Sequence, residues 1–278
     1  MKTLKPGLTL IAPNTWCISE FRLVNAFLLM GSDKAVLIDT GCGIADMSRQ
    51  VAELTDKPLE VLLTHGHADH AGGLIHLPDR EVYLGEEDRN METTMPCDNR
   101  FRRMYIQYRV DYRFPGEGHR EALLAMLPPD PGSVSFRNFR SLQEGQIFDL
   151  GGRTLQAVHT PAHSEGSYCF LDSATRILFS GDTVNNSIIL ARQPDHGMRL
   201  VEQYHTTLQK LWDMSDRYDR LAIGHDGVTV DKQLVKDYLE LTAGLLNGSI
   251  QGDYEESGFR KGEVARLGLA ELWYQCDA

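Results

Sequence analysis

The stretch Thr64-His65-Gly66-His67-Ala68-Asp69-His70 directly follows the apolar run Leu59-Glu60-Val61-Leu62-Leu63. Three imidazoles and a carboxylate within six residues make a dense set of borderline and hard ligands, suited to Zn²⁺, Fe or Mn. Spacing i, i+2 lets a bent extended backbone aim His65 and His67 at one ion. Asp69 and His70 lie beyond, better placed for a second ion. A lone histidine is usually explained by core hydrogen bonding. Four such groups at a strand end are not, because buried imidazole and carboxylate are costly without partners. Gly72 and Gly73 are expected to let a following helix start close against this loop.

Working outward, Ala35-Val36-Leu37-Ile38 is a fully apolar strand ending in Asp39-Thr40-Gly41-Cys42-Gly43, and a helical pattern covers about 44–55. Strand, helix and strand imply a parallel βαβ unit. Upstream, residues 8–30 alternate apolar runs with polar breaks, as paired strands do. The later half repeats the order: Arg176–Phe179 runs into Ser180-Gly181-Asp182, a helical stripe covers 199–212, and Leu221-Ala222-Ile223 runs into Gly224-His225. The spacings differ, with 26 residues from Asp39 to His65 and 43 from Asp182 to His225. This weak duplication predicts two facing sheets with helices outside.

Between the halves, residues 85–132 form a polar and helical insertion closed by Pro128-Pro129-Asp130-Pro131-Gly132. Strand patterns resume near 147–158 and a helix is expected at 232–246. Gly-rich residues 247–268 carry no decisive pattern. One domain spanning 1–278 is the expected organisation.

Composition bounds the function. The 278 residues are 42% hydrophobic, with 28 Lys+Arg against 39 Asp+Glu and a net charge of −11. An acidic chain of this kind argues against nucleic-acid binding, which needs a basic face. No apolar stretch approaches the ~20 residues of a membrane span, and Met1-Lys2-Thr3-Leu4-Lys5 begins no secretory signal, so a cytoplasmic location is expected. Cys17, Cys42, Cys97, Cys169 and Cys276 form no C-x-x-C pair and read as free thiols.

The His65–His70 run resembles the signature of the metallo-β-lactamase superfamily of metallohydrolases. The other landmarks of that family follow in order over residues 25–230. Asp39 matches the aspartate that braces the site. His163, in His159-Thr160-Pro161-Ala162-His163, matches the third histidine, with Ala162 where glycine is more usual. Asp182 matches the bridging carboxylate and His225 the last ligand. The resemblance implies an α/β fold, a four-layer αβ/βα sandwich of two facing mixed sheets with outer helices. It also implies two divalent metal ions, zinc first, with iron or manganese as alternatives. One would be held by His65, His67 and His163 and the other by Asp69, His70 and His225, with Asp182 shared. A bridging hydroxide would attack an ester, thioester, lactone or phosphodiester. Asp69 would also handle a proton in the leaving-group step, and Asp39 would fix loop 64–70 from behind.

Departures sharpen this. True metallo-β-lactamases are exported and lack the bridging aspartate, so antibiotic hydrolysis is disfavoured. Glyoxalase II shares the ligand set, but its C-terminal glutathione-binding pattern is not found. The alternatives are an iron-dependent redox enzyme on the same fold, disfavoured because His67, His70 and His225 are all present, and a non-catalytic metal-binding protein, disfavoured by the complete ligand set.

Residues 100–114 contain five arginines, five aromatics and one acid. Phe101, Tyr105, Tyr108 and Tyr112 recur at helical spacing, which fits a stripe packed on the core. It fits equally an active-site lid whose Arg102, Tyr105 and Arg109 contact a small, anionic substrate, or a homodimer contact. Tyr254, Phe259, Arg260 and Lys261 either border the pocket or cap a sheet. His76, His119, His159, His196 and His205 lack a second ligand at useful spacing and are set aside.

Overall fold

The computed structural model describes residues 4–114, 116–127, 129, 139–191, 193, 197–258 and 260–277. His196, Phe259, the side chains of Tyr112, Arg113 and Cys276, and all but Pro129 of the 128–132 run lie outside the described residues.

Strands β1 (Gly7–Ala12), β2 (Thr15–Glu20), β3 (Val24–Met30) and β4 (Ala35–Ile38) form an antiparallel meander. Helix α1 (Met47–Ala52), N-capped by Asp46, crosses to β5 (Leu59–Leu62), which runs parallel to β4 with Ile38 opposite Leu62. The short α2 (Ala68–Ala71) leads to β6 (Glu81–Leu84). Helices α3 (Met91–Thr94), α4 (Asn99–Arg113) and α5 (His119–Met126) then precede β7 (Arg140–Ser141). Among the described residues these seven strands form one sheet in chain order.

The second half contributes β8 (Ile147–Asp149), β9 (Thr154–His159), β10 (Tyr168–Asp172), β11 (Ile177–Gly181) and β12 (Ile188–Ala191). Then come α6 (Arg199–Asp213), β13 (Arg220–Ile223), β14 (Thr229–Asp231), α7 (Gln233–Asn247), β15 (Asp253–Ser257), β16 (Arg260–Leu267) and β17 (Ala270–Asp277). The second sheet has the order β14-β13-β11-β10-β9-β8, with β11 and β13 parallel. Both halves thus carry the expected parallel pair, in each case with a carboxylate after the first strand and a histidine after the second.

Period-two alternation builds the layers. Phe27, Leu29, Val36, Ile38 and Leu62 of the first sheet meet Leu155, Ala157, Phe170, Ile177, Phe179 and Ala222 of the second. Phe27 and Phe179 make an edge contact across that seam, centroids 5.2 Å apart. The intervening Leu28, Leu37 and Val61 face outward onto α1 and the α2 region, while Leu178, Leu221 and Ile223 face α6 and α7. This is the four-layer αβ/βα sandwich of two facing mixed sheets.

Two features differ from expectation. The Gly-rich tail builds a third sheet, β12-β17-β16-β15. Tyr254, Arg260 and Lys261 lie in it, with Arg260 stacked on Trp273. Helix α1 is shorter than the 44–55 expected because the preceding loop is held in another shape: buried Glu20 accepts the N–H groups of Cys42 (2.6 Å), Ile44 (2.8 Å) and Ala45 (2.8 Å). As expected, Gly72 and Gly73 open a helical segment close against the neighbouring loop, here a 3-10 helix over Gly72–His76 directly after α2. A Cβ at Gly73 would lie 2.0 Å from the Thr40 carbonyl oxygen, so glycine is what lets the two loops meet.

Candidate metal centre

The carboxyl ends of β4, β5, β11 and β13 converge, and the loops leaving them carry Asp39, His65–His70, Asp182 and His225. Asp39, buried and in the left-handed region at φ 60°, organises the His65–His70 loop. Its Oδ1 accepts from Thr64 N (2.8 Å), and its Oδ2 accepts from Thr64 Oγ1 (2.8 Å) and His70 Nδ1 (2.8 Å).

Oxygen acceptors assign the tautomers of four imidazoles. His70 Nδ1 donates to Asp39, His163 Nδ1 to Ile189 O (2.9 Å), and His225 Nδ1 to Leu23 O (2.7 Å). Thr64 Oγ1, already donating to Asp39, accepts from His65 Nδ1 (3.0 Å). Each ring therefore turns a lone pair on Nε2 inward. His67 is reversed, with Nδ1 lying 3.0 Å from both His65 Nε2 and His163 Nε2.

Neutral rings cannot satisfy one another when their lone pairs converge in this way. A tetrahedral ion with bonds of about 2.0–2.1 Å spaces its ligands roughly 3.3 Å apart, and the donor set fits one. Among the described residues three ligand groups stand out: His65/His67/His163, His65/His70/Asp182 and Asp69/His70/His225, with the donor atoms of each within 4.8 Å. Asp182 lies between them. Its Oδ1 is 3.6 Å from His70 Nε2, and its Oδ2 is 3.4 Å from His225 Nε2 and 3.8 Å from His163 Nε2. Asn185 Nδ2 orients it from 3.1 Å. A Cβ on Gly224 would come within 2.5 Å of Asp182 Oδ1, so the last turn approaches only as glycine.

Electrostatics divide the cluster. Burial and neighbouring imidazoles push His65 well below its ordinary value and His67 down to about 3. Burial also opposes charge on His70, but Asp182, Asp39 and Asp69 outweigh it and hold that ring well above the ordinary value. His225 is raised in the same way, chiefly by Asp182 against burial. Burial works against the charged forms of Asp69 and Asp182, yet the facing histidines keep both well below the carboxylate range. The carboxylates thus favour positive charge at this end, which a bound cation would supply in competition with protons.

Helix α4 lies against this end. Tyr105 donates to Asp69 Oδ2 (2.9 Å), and the Arg109 guanidinium lies over the Tyr105 ring, 5.6 Å from its centroid. Arg102 is corrected as a substrate contact. It is fully buried and donates to Cys42 O (2.8 Å), Gly72 O (3.0 Å) and Asn99 Oδ1 (3.3 Å). It clips the insertion to the site loops and does not face solvent. The aromatic stripe is also corrected. Tyr108 is 55% exposed, and the buried seam runs through Arg102, Tyr105, Ile106, Arg109 and Val110. Docking Arg102 onto two carbonyls rotates Tyr108 outward.

The other described histidines make contacts outside the cluster. His76 approaches Gly43 O, His159 approaches Glu165 O, His205 pairs with Thr242 and His119 packs on Phe114. Cys17, Cys42, Cys97 and Cys169 are buried free thiols. Asp88, Asn185 and Glu20 were not singled out from the sequence. Nothing local distinguishes Asp88 within Glu86-Glu87-Asp88 from a solvated acid.

The family model described as the metallo-beta-lactamase superfamily matches residues 20–225. The chain belongs to this superfamily. An acyl-coenzyme A thioesterase of Gallus gallus, MBLAC2, is 31% identical over 212 residues, covering 72% of each chain. An atrochrysone carboxyl ACP thioesterase of Pseudocercospora fijiensis is 26% identical and aligns with 78% of this chain and 51% of its own length. Among solved structures, a metallo-beta-lactamase family protein of Thermus thermophilus superposes with a TM-score of 0.57 at 22% identity, over 83% of this chain and 80% of its own. The sec-alkylsulfatase Pisa1 of Pseudomonas sp. superposes with a TM-score of 0.62 at 15% identity, over 88% of this chain and 42% of its own. These two likenesses bear on fold alone. Among the described residues no helix is long and apolar enough to cross a membrane.

Proposed function

We propose that this superfamily member is a metal-dependent hydrolase of small acyl thioesters. The observation that carries the reading is the convergence of two donor trios, joined by Asp182, in which oxygen acceptors turn four imidazole Nε2 atoms toward one space. His65, His67 and His163 would hold one divalent ion, Asp69, His70 and His225 a second, with Asp182 shared; zinc suits this nitrogen-rich set best. Such ions lower the pKa of water to about 7 and polarise a carbonyl.

The chain's own groups do the rest. Asp39 keeps His70 in one tautomer. Burial and the Asp69 charge push the Tyr105 hydroxyl well above its ordinary value, so it remains an O–H donor at Asp69 Oδ2, the atom through which a leaving-group proton would pass. Helix α4 serves as a wall of the substrate space, with Tyr105 and Arg109 on its inner face. A thiolate leaves readily because the parent thiol has a pKa of about 8.5, so a site without a dedicated strong acid suits thioesters. The thioesterase relatives support the same choice over redox chemistry.

The test is release of free thiol from acyl-coenzyme A thioesters, run beside a lactone, a phosphodiester and a β-lactam. Thioester turnover should dominate; turnover of the phosphodiester alone would contradict the reading. Tyr105→Phe should lower kcat/KM for the thioester about tenfold, the worth of one hydrogen bond to a charged group. Unchanged kinetics would leave α4 as packing only.

A further inference from the structure

We propose that Asp88 is a positioning residue that latches the His65–His67 loop to the His163 loop and thereby sets the affinity of the three-histidine ion. The inference rests on the metal reading above and adds a residue to it. Asp88 is 1% exposed, in the turn that follows β6. Its Oδ2 accepts from Gly66 N (2.8 Å) and from Ser164 Oγ (2.7 Å), and its Oδ1 accepts from Gly166 N (2.9 Å). Gly66 lies between His65 and His67, and Ser164 follows His163. One carboxylate therefore ties a loop of the first sheet to a loop of the second, and each loop carries ligands of the same trio.

The crossing has no slack. A Cβ at Gly66 would lie 3.1 Å from Asp88 Cβ, one at Gly166 would lie 2.7 Å from Asp88 Cγ, and one at Gly85 would lie 2.1 Å from Gly166 O. Ser167 Oγ closes the second loop on itself, accepting from Ser164 N (3.2 Å) and pairing with Ser164 Oγ (2.7 Å). Backbone contact and the carboxylate together fix the distance between His67 and His163. The other trio is placed differently: His70 by Asp39 and His225 by Leu23 O. Loss of the latch should therefore act on one ion and not on the other.

Zinc affinity, measured by competition with a chromophoric chelator, separates the two ions in single-site backgrounds. His225→Ala weakens the carboxylate trio and His67→Ala the three-histidine trio. Asp88→Asn turns one acceptor oxygen into a donor facing a donor. In the His225→Ala background it should weaken zinc binding by at least about tenfold, the usual scale for a group that orients ligands from behind. In the His67→Ala background the affinity should stay within about threefold. Unchanged affinity in the first background, or equal weakening in both, overturns the proposal. If Asp88→Asn does not fold, Ser164→Ala removes one hydrogen bond to the Asp88 carboxylate and should cost about tenfold in the first background only; no change there also overturns it. A wild-type chain that takes up a single ion overturns the two-ion reading instead. Asp88→Asn is then read on that ion beside His67→Ala: weakening of an ion that His67→Ala also removes supports the latch, and any other result overturns it.

Discussion

Asp182→Ala is expected to lower kcat/KM for an acyl thioester by about 10³-fold or more, roughly 4 kcal/mol of transition-state stabilisation. Among the described residues this side chain is the carboxylate placed between the two trios, its Oδ1 facing His70 and its Oδ2 facing His225 and His163. On the proposed two-ion reading, removing it would take away a ligand from each ion and a negative charge that would offset two adjacent cations. The more weakly held ion should dissociate, and with it the polarisation that metal catalysis supplies. Elemental analysis should show a loss of bound metal alongside the loss of rate, while far-UV circular dichroism stays native because Asp182 lies in a loop after β11. Activity within about threefold of wild type at full metal content would contradict the shared-ligand assignment.

Asp39→Ala should act through a different route, on affinity and stability together. Asp39 touches no other member of the donor set than His70, yet it receives three hydrogen bonds from buried groups: Thr64 N, Thr64 Oγ1 and His70 Nδ1. Alanine leaves those donors unpaired, at about 1–3 kcal/mol for each buried group, and frees the imidazole to present its other tautomer. Zinc affinity should fall about 10–100-fold, and the urea midpoint of the metal-free protein should fall as well. A variant with unchanged zinc affinity would show that the tautomer is fixed by something else. A variant with lower affinity but unchanged metal-free stability would show that the three bonds are not made in the apo state.

Much of this was legible in the sequence because it is local. Ala35–Ile38 and the run from Leu59 are short, wholly or mostly apolar and end in chemistry-bearing residues, so they read as buried parallel strands. The α6 stripe from Leu200 to Leu211 declares its inner face by period alone. The histidines were legible because burying several of them has few explanations. Other features depend on contacts distant in sequence. Asp88 meets Gly66 22 residues away and Gly166 78 residues away, and no pattern within an acidic triplet announces either contact. Arg102 reads as a substrate contact on a lid because nothing local marks it as buried; the carbonyls of Cys42 and Gly72, brought together by the glycine-tight loops, and Asn99 Oδ1 make a buried guanidinium favourable. The third sheet is hidden from sequence reading because β15 is polar and largely solvent-facing, β16 is rich in charge, and the pairing of β12 with β17 joins segments from opposite sides of α6 and α7.

The most direct test of the central claim is a zinc titration of the metal-stripped protein with acyl-coenzyme A hydrolysis followed at each step. The account predicts negligible turnover without metal and a rise to a plateau at about two ions per chain, the number that two trios joined by Asp182 would hold. Full activity at one ion, or turnover that survives complete removal of metal, would contradict it.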